Sequence, residues 1–269
     1  MLQACVVIPV YRAALTPHER IAIQQCDRVL AAYPRVFIKP SSVSIDELLA
    51  EFPAFGAVAF DDAYFSGVSG YNRLMLSPGF YRAFADYQYI LIHQLDALVF
   101  RDALGEWCAR GYDYVGAPWI KPRALGSKLT EWRLRTKKWL YDGLDRTKHG
   151  GIVPHSGRVS FCVGNGGFSL RRVAAFIDVV ERFADEVESF LQAEPRLNED
   201  LFFSLCVNRR GAHLRIPDYR TAVSFAVEAA PREVIERLNG GQLPFGCHAW
   251  EKMDPQFWLP LLRRYGYTV

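Results

Sequence analysis

Three stretches of the chain bring together residue types that can do chemistry. Gln94-Leu95-Asp96 interrupts the apolar run from Tyr89 to Phe100. Residues i and i+2 at a strand end point the same way, so Gln94 and Asp96 can face one ligand. A carboxylate where a buried strand ends is costly unless water, a cation or a hydrogen-bond donor meets it. With substrate phosphates it makes a suitable site for magnesium or manganese, so Asp96 is a candidate metal ligand; a helix cap or salt bridge is the structural alternative. Gly164-Asn165-Gly166-Gly167 lacks the P-loop lysine and the spaced glycines of a dinucleotide site. Its glycines allow close backbone approach to a sugar or phosphate, or simply a tight turn. Asn198-Glu199-Asp200 opens a predicted helix, where acids suit N-capping and the macrodipole. Adjacent carboxylates on a rigid, partly buried mount are also what a general base needs, and these residues alone do not choose between Glu199 and Asp200. His248, beside Cys247 and Trp250, reads locally as a core histidine, and Cys247-His248 is not zinc spacing. Arg73, in Gly70-Tyr71-Asn72-Arg73, can clamp phosphate or pair with Asp61 or Asp62.

The elements that must hold these residues follow from hydrophobic pattern. Ala4 to Val10 is a β-branched run, Val36 to Ile38 a second strand, Ala57 to Phe60 a third, and Tyr89 onward a strand buried on both faces. Pro17 to Ala32 has helical spacing, and Ser44 with Glu47 predicts a capping box on a short helix. Tyr112 to Gly116 and Val159 to Val163 read as further strands. Arg171 to Gln192 reads as a long amphipathic helix, Asn198 to Asn208 as another, and Ala222 to Ala226 as a late strand. This alternation predicts an α/β fold with a mainly parallel, Rossmann-like central sheet flanked by helices. No repeat, low-complexity tract or linker stands out, which favours one domain over 1–269.

Half of the 269 residues are hydrophobic and 14% aromatic, enough for a substantial core. A net charge of +3 is too mild to imply nucleic acid. Six widely spaced cysteines without a CxxC pair, and a start lacking the basic flank of a signal peptide, lead us to expect reduced thiols and a cytoplasmic protein. The segment 120–154 breaks the rhythm with basic residues and interleaved Trp132, Trp139 and Tyr141. It reads as a solvated helix with surface loop, or as a lid or basic-aromatic helix that touches anionic lipid or acceptor.

Together these blocks resemble the GT-A glycosyltransferases, and most closely a family of uncharacterised bacterial glycosyltransferase-like domains. The resemblance rests on Val6 to Tyr11, Gly70 to Met75, Tyr89 to Phe100, Tyr112 to Trp119, Gly164 to Arg171, Asn198 to Asp200 and Pro244 to Glu251. It covers nearly the whole chain and matches least over 120–154. It implies a single GT-A-like domain that moves a sugar from a UDP- or GDP-sugar to a saccharide or glycolipid hydroxyl, in surface polysaccharide or glycolipid assembly. It also implies Mn2+ or Mg2+ on an Asp-x-Asp motif, in which Gln94 takes the first acidic position and Asp96 the second. His248 falls at the place of a late metal-binding histidine, and Glu199-Asp200 at the acidic pair that supplies the base, with Asp200 preferred. Gly166 and Gly167 would border the donor sugar, with Pro9, Tyr11 and Arg73 on the nucleotide side. A nucleotidyltransferase and a non-catalytic sugar- or nucleotide-binding module are the rival readings. Pro9-Val10-Tyr11-Arg12 offers no glycine-rich, lysine-bearing loop for the first, and Gln94 is the best support for the second.

Overall fold

The run from Ala4 to Ile8 contains no polar residue, and the strand it forms, β1 (Leu2–Pro9), is buried on both faces. Ala4, Val6 and Ile8 enter one core while Cys5 and Val7 enter the other, as the two-residue period of a strand requires. The structure, a computed structural model, describes residues 2–121, 127–143, 147–148, 153–154, 156–193 and 197–268. Parts of the basic segment expected at 120–154 therefore lie outside the described residues.

β2 (Arg35–Pro40), β3 (Phe55–Phe60) and β4 (Tyr87–His93) extend parallel to β1. Along β4, Tyr89 and Leu91 join the first core and Ile90 and Ile92 the second. After β4 the chain turns through Gln94 to Ala97 and makes β5 (Leu98–Val99), then β6 (Tyr114–Val115). A hairpin pairs β7 (Thr147–Lys148) with β8 (Val153–Pro154). β9 (Phe168–Arg172) enters the main sheet antiparallel between β4 and β6, giving the order β3-β2-β1-β4-β9-β6. The sheet is mainly parallel, with β9 running against its neighbours. β10 (Ala226–Val227) and β11 (Gly246–Cys247) form a small second sheet with β5.

Several local expectations change. The chain before the glycines makes a short helix, Ser156–Val159, and an isolated bridge from Val163 to Pro118. The expected strand at Val159 to Val163 lies instead past the glycines, because Phe168 to Arg172 pairs with Tyr89 to His93. That pairing also claims Arg171 and Arg172, so the expected long helix starts at Val173. It divides at Phe183 into Val173–Arg182 and Ala184–Leu191. Ser44 does not cap: the helix begins at Asp46 behind Ile45, and the Ser44 hydroxyl bonds the Asp46 carboxylate. The capping box is at Thr16 and Glu19, ahead of the helix Pro17–Val29. The late strand is shorter, with a helix at Tyr219–Ala222 before β10.

Candidate active site

The carboxyl ends of the parallel strands and the amino end of β9 enclose a cleft of about 480 Å³. This is where ligands bind in open α/β sheets. Tyr11 reaches it from the end of β1, Gln94 and Asp96 from the turn after β4, and Gly166 and Gly167 from the approach to β9. Glu199 and Asp200 arrive on the short helix Glu199–Leu201, and His248 follows β11. Gln94 and Asp96 do share one face, with the buried Leu95 between them turned into the core. Pro9 and Arg73 do not line the cleft. Pro9 is buried as the last residue of β1, and Arg73 is exposed on the helix Gly67–Met75. The neighbour of Arg73 that faces inward is Asn72, whose side-chain oxygen accepts from the Glu199 amide at 3.2 Å while its amide donates to the Leu197 carbonyl at 2.8 Å.

The two adjacent acids have different surroundings. Glu199 is paired with Arg171, whose Nη2 donates to its Oε1 at 3.0 Å with both side chains buried. Arg171 also donates to the Tyr81 hydroxyl at 2.9 Å and the Ser169 hydroxyl at 3.1 Å. Asp200 instead accepts from the backbone N–H of Gly166 at 3.3 Å. Burial raises its carboxyl pKa well above the ordinary aspartate value, and the charge of Glu199 raises it further. An upward shift of this kind moves a carboxylate in the direction that a general base needs.

The glycines are explained by their neighbours. A Cβ on Gly166 would lie 2.5 Å from Glu199 Oε1, and one on Gly167 only 2.1 Å from His248 Nε2. The run is bare because the side chains of Glu199 and His248 press on it.

On the opposite wall, β11 pairs antiparallel with β5, Cys247 opposite Leu98, and this sets His248 beside Asp96. His248 Nε2 lies 3.1 Å from both Asp96 Oδ1 and Gln94 Oε1, and Nδ1 lies 3.1 Å from Glu228 Oε1. Burial opposes a charged imidazole, yet the two carboxylates raise its pKa to about 9. Lys252 Nζ donates to Asp96 Oδ2 at 3.0 Å. Burial pushes the Asp96 carboxyl up, but hydrogen bonds from His248 and Lys252 outweigh it and hold the group far below the usual range.

This donor set does not fit magnesium or manganese. Asp96 and His248 come together as expected, but each imidazole nitrogen faces an oxygen acceptor and each Asp96 oxygen faces a cation. Both ring nitrogens of His248 and both oxygens of Asp96 are already engaged by neighbouring side chains, and Gln94 replaces an acid. Among the described residues, no group of three or more His, Cys, Asp or Glu side chains is placed to hold a metal ion. Lys252, Glu228, Arg171 and Asn72 were not singled out from sequence. Arg171 carried a faint signal, as a charge directly after the apolar-flanked Phe168-Ser169-Leu170, and it is itself buried within the strand Phe168–Arg172. Lys252 carried none.

The sequence profile of the family described as "Protein of unknown function (DUF5672)" matches residues 54–248, from β3 to the site histidine. The chain belongs to that family. No curated protein matches it. Among solved structures, the chain is similar to the galactosyltransferase LgtC in complex with donor and acceptor sugar analogs. The two are 12% identical over 97% of this chain and 95% of that one, with a TM-score of 0.56. Mouse xyloside xylosyltransferase 1 in its apo form matches at 14% identity over 92% and 97% of the two chains, TM-score 0.52. Core-mannan synthase A (CmsA/Ktr4) from Aspergillus fumigatus, in an Mn/GDP form, matches at 11% over 82% and 73%, TM-score 0.50. The DUF5672 chain thus has the GT-A glycosyltransferase fold.

Proposed function

We propose that this DUF5672 protein is a glycosyltransferase that moves a sugar from a nucleotide-sugar donor to a hydroxyl acceptor. The observation that carries the reading is the cleft itself, in which the buried Asp200, the Gly166-Gly167 shelf and the Asp96–His248–Lys252 cluster converge. The neighbours add support: LgtC was solved with donor and acceptor sugar analogs, and CmsA with Mn and GDP. In the reaction the bond from the anomeric carbon to the diphosphate breaks and a bond to the acceptor oxygen forms. Asp200 takes the acceptor proton as that bond forms; in a retaining transfer the same group orients the sugar instead, and an oxygen of the departing diphosphate takes the proton. Glu199 pairs with Arg171, which in turn donates to the Ser169 hydroxyl that bonds the Gly166 carbonyl of the shelf. The expected divalent metal does not enter these steps, since its proposed ligands already hold one another.

The proposed acceptor is a saccharide or glycolipid at the cytoplasmic face of a membrane. The helix Lys128–Gly143 supports this. Glu131 anchors it through Tyr219 and Arg220, and its other side exposes Leu129, Trp132, Trp139 and Leu140 among basic residues. That composition suits an anionic lipid interface. Among the described residues no helix is long and apolar enough to cross a membrane.

A thermal-shift panel of UDP- and GDP-sugars tests the reading, because a ligand that binds only the folded state raises Tm. At least one should raise Tm and release its nucleoside diphosphate when acceptor is supplied. Binding with no release under any acceptor would favour the binding-module alternative.

A further inference from the structure

The disagreement between the GT-A expectation of a metal and the side chains present has a positive side. Asp96 is engaged on both oxygens, by His248 and by Lys252. The segment that carries both His248 and Lys252 is fixed to the segment that carries the acid. β11 pairs with β5 on one side of the turn, and the Trp250 N–H donates to the Asp96 carbonyl at 3.3 Å. Ala249 sits in the left-handed region at φ 53°, a conformation that costs a non-glycine residue energy. This kink, closed by the Lys252 N–H to the Ala249 carbonyl at 3.0 Å, lets residues 248 and 252 approach the same carboxylate.

Lys252 differs from a bound ion in being tethered by a flexible four-carbon stem. Its side chain is 71% exposed and its ammonium stands at the cleft, within reach of a phosphate entering there.

We infer that Lys252, held by Asp96, takes the place of the divalent metal and supplies the cation that meets the donor's diphosphate, so that nucleotide binding by this chain does not require a metal. The inference rests on the nucleotide-sugar reading and deepens it. In the transfer, the diphosphate departs with the electron pair of the bond to the anomeric carbon, and the ammonium of Lys252 faces its negative charge while keeping its own bonds. Asp96 then acts as a positioning residue for the lysine rather than as a metal ligand.

Calorimetric titration of the chelator-treated chain with UDP and with GDP, in EDTA and in manganese, tests this directly. The expected result is binding of one of the two with a Kd that differs by no more than about twofold between conditions, on a scale where tenfold is about 1.4 kcal/mol. Lys252→Met should weaken that binding by roughly tenfold or more, the range of a charge-assisted hydrogen bond, while Lys252→Arg keeps most of it. Binding of the matching nucleoside, which lacks phosphates, should be unchanged in Lys252→Met, showing that the fold and base pocket survive. Binding that appears only with manganese, or a Lys252→Met affinity equal to wild type, overturns the lysine's role while leaving the nucleotide-sugar reading in place. Failure of both nucleotides to bind under every condition overturns both. Manganese paramagnetic resonance gives a readout independent of nucleotide: the free-ion signal should persist in the presence of the wild-type chain, and its loss to a site removed by Asp96→Ala contradicts the inference.

Discussion

Asp200 and Glu199 are neighbours in sequence with opposite consequences when changed. Glu199→Ala leaves Arg171 as an uncompensated charge in the core, which typically costs about 3–5 kcal/mol. The expected outcome is a marked fall in Tm, read by differential scanning calorimetry, with any activity loss following from it. Asp200→Asn keeps shape and can still accept from the Gly166 N–H, so the fold should survive while turnover falls about 10²–10⁴-fold, the usual weight of a general base. The raised pKa of Asp200 also sets two pH trends of opposite direction. Turnover rises as the pH climbs through that pKa, because the base must be deprotonated. The stability from keeping Asp200 protonated is fully present below the ordinary aspartate pKa of about 3.9, and is lost as the pH rises through the elevated native value. Asp200→Asn should flatten that decline in a pH series of Tm values. At this scale the sequence showed the acids but not their roles. Glu199 and Asp200 were legible as a pair, whereas their distinction depends on Arg171 from β9, which is distant in sequence. Lys252 was invisible for the same reason, since only the pairing of β11 with β5 brings it to Asp96.

At the scale of elements, the glycine run acts as a spacer for side chains. Gly167→Ala would drive a methyl group into His248 Nε2, separating it from Asp96. The expected result is a lower nucleotide affinity with near-normal secondary structure by circular dichroism. Gly67→Ala, where nothing stands within 4 Å but φ is +68°, should instead cost stability without moving His248. Main strands were legible because their runs are apolar on both faces, as in Ala4 to Ile8 and Tyr89 to Ile92. β9 was displaced in the sequence reading because its polar letters, Ser169, Arg171 and Arg172, hide a strand whose charges are satisfied by Glu199 and Asp113. The helix Lys128–Gly143 offers a separate check. Trp132→Ser with Trp139→Ser should reduce cosedimentation with vesicles rich in anionic lipid, and leave turnover of a soluble acceptor unaltered.

For the molecule as a whole, the topology explains why one cleft collects residues from positions 11 to 252. Parallel strands β1 and β4 end at the same edge, β9 enters from that edge in the opposite direction, and the small sheet folds the C-terminal segment across it. The α/β class and the site's ends were readable from periodicity; the second sheet, built from two-residue strands, was too short to leave a pattern. The most direct measurement is release of nucleoside diphosphate from a panel of UDP- and GDP-sugars, comparing wild type with Asp200→Asn. A glycosyltransferase reading predicts release from at least one donor by wild type, at least about 10²-fold slower in the variant, with both proteins equally folded. No release from any donor, or equal rates in the two proteins, would contradict it.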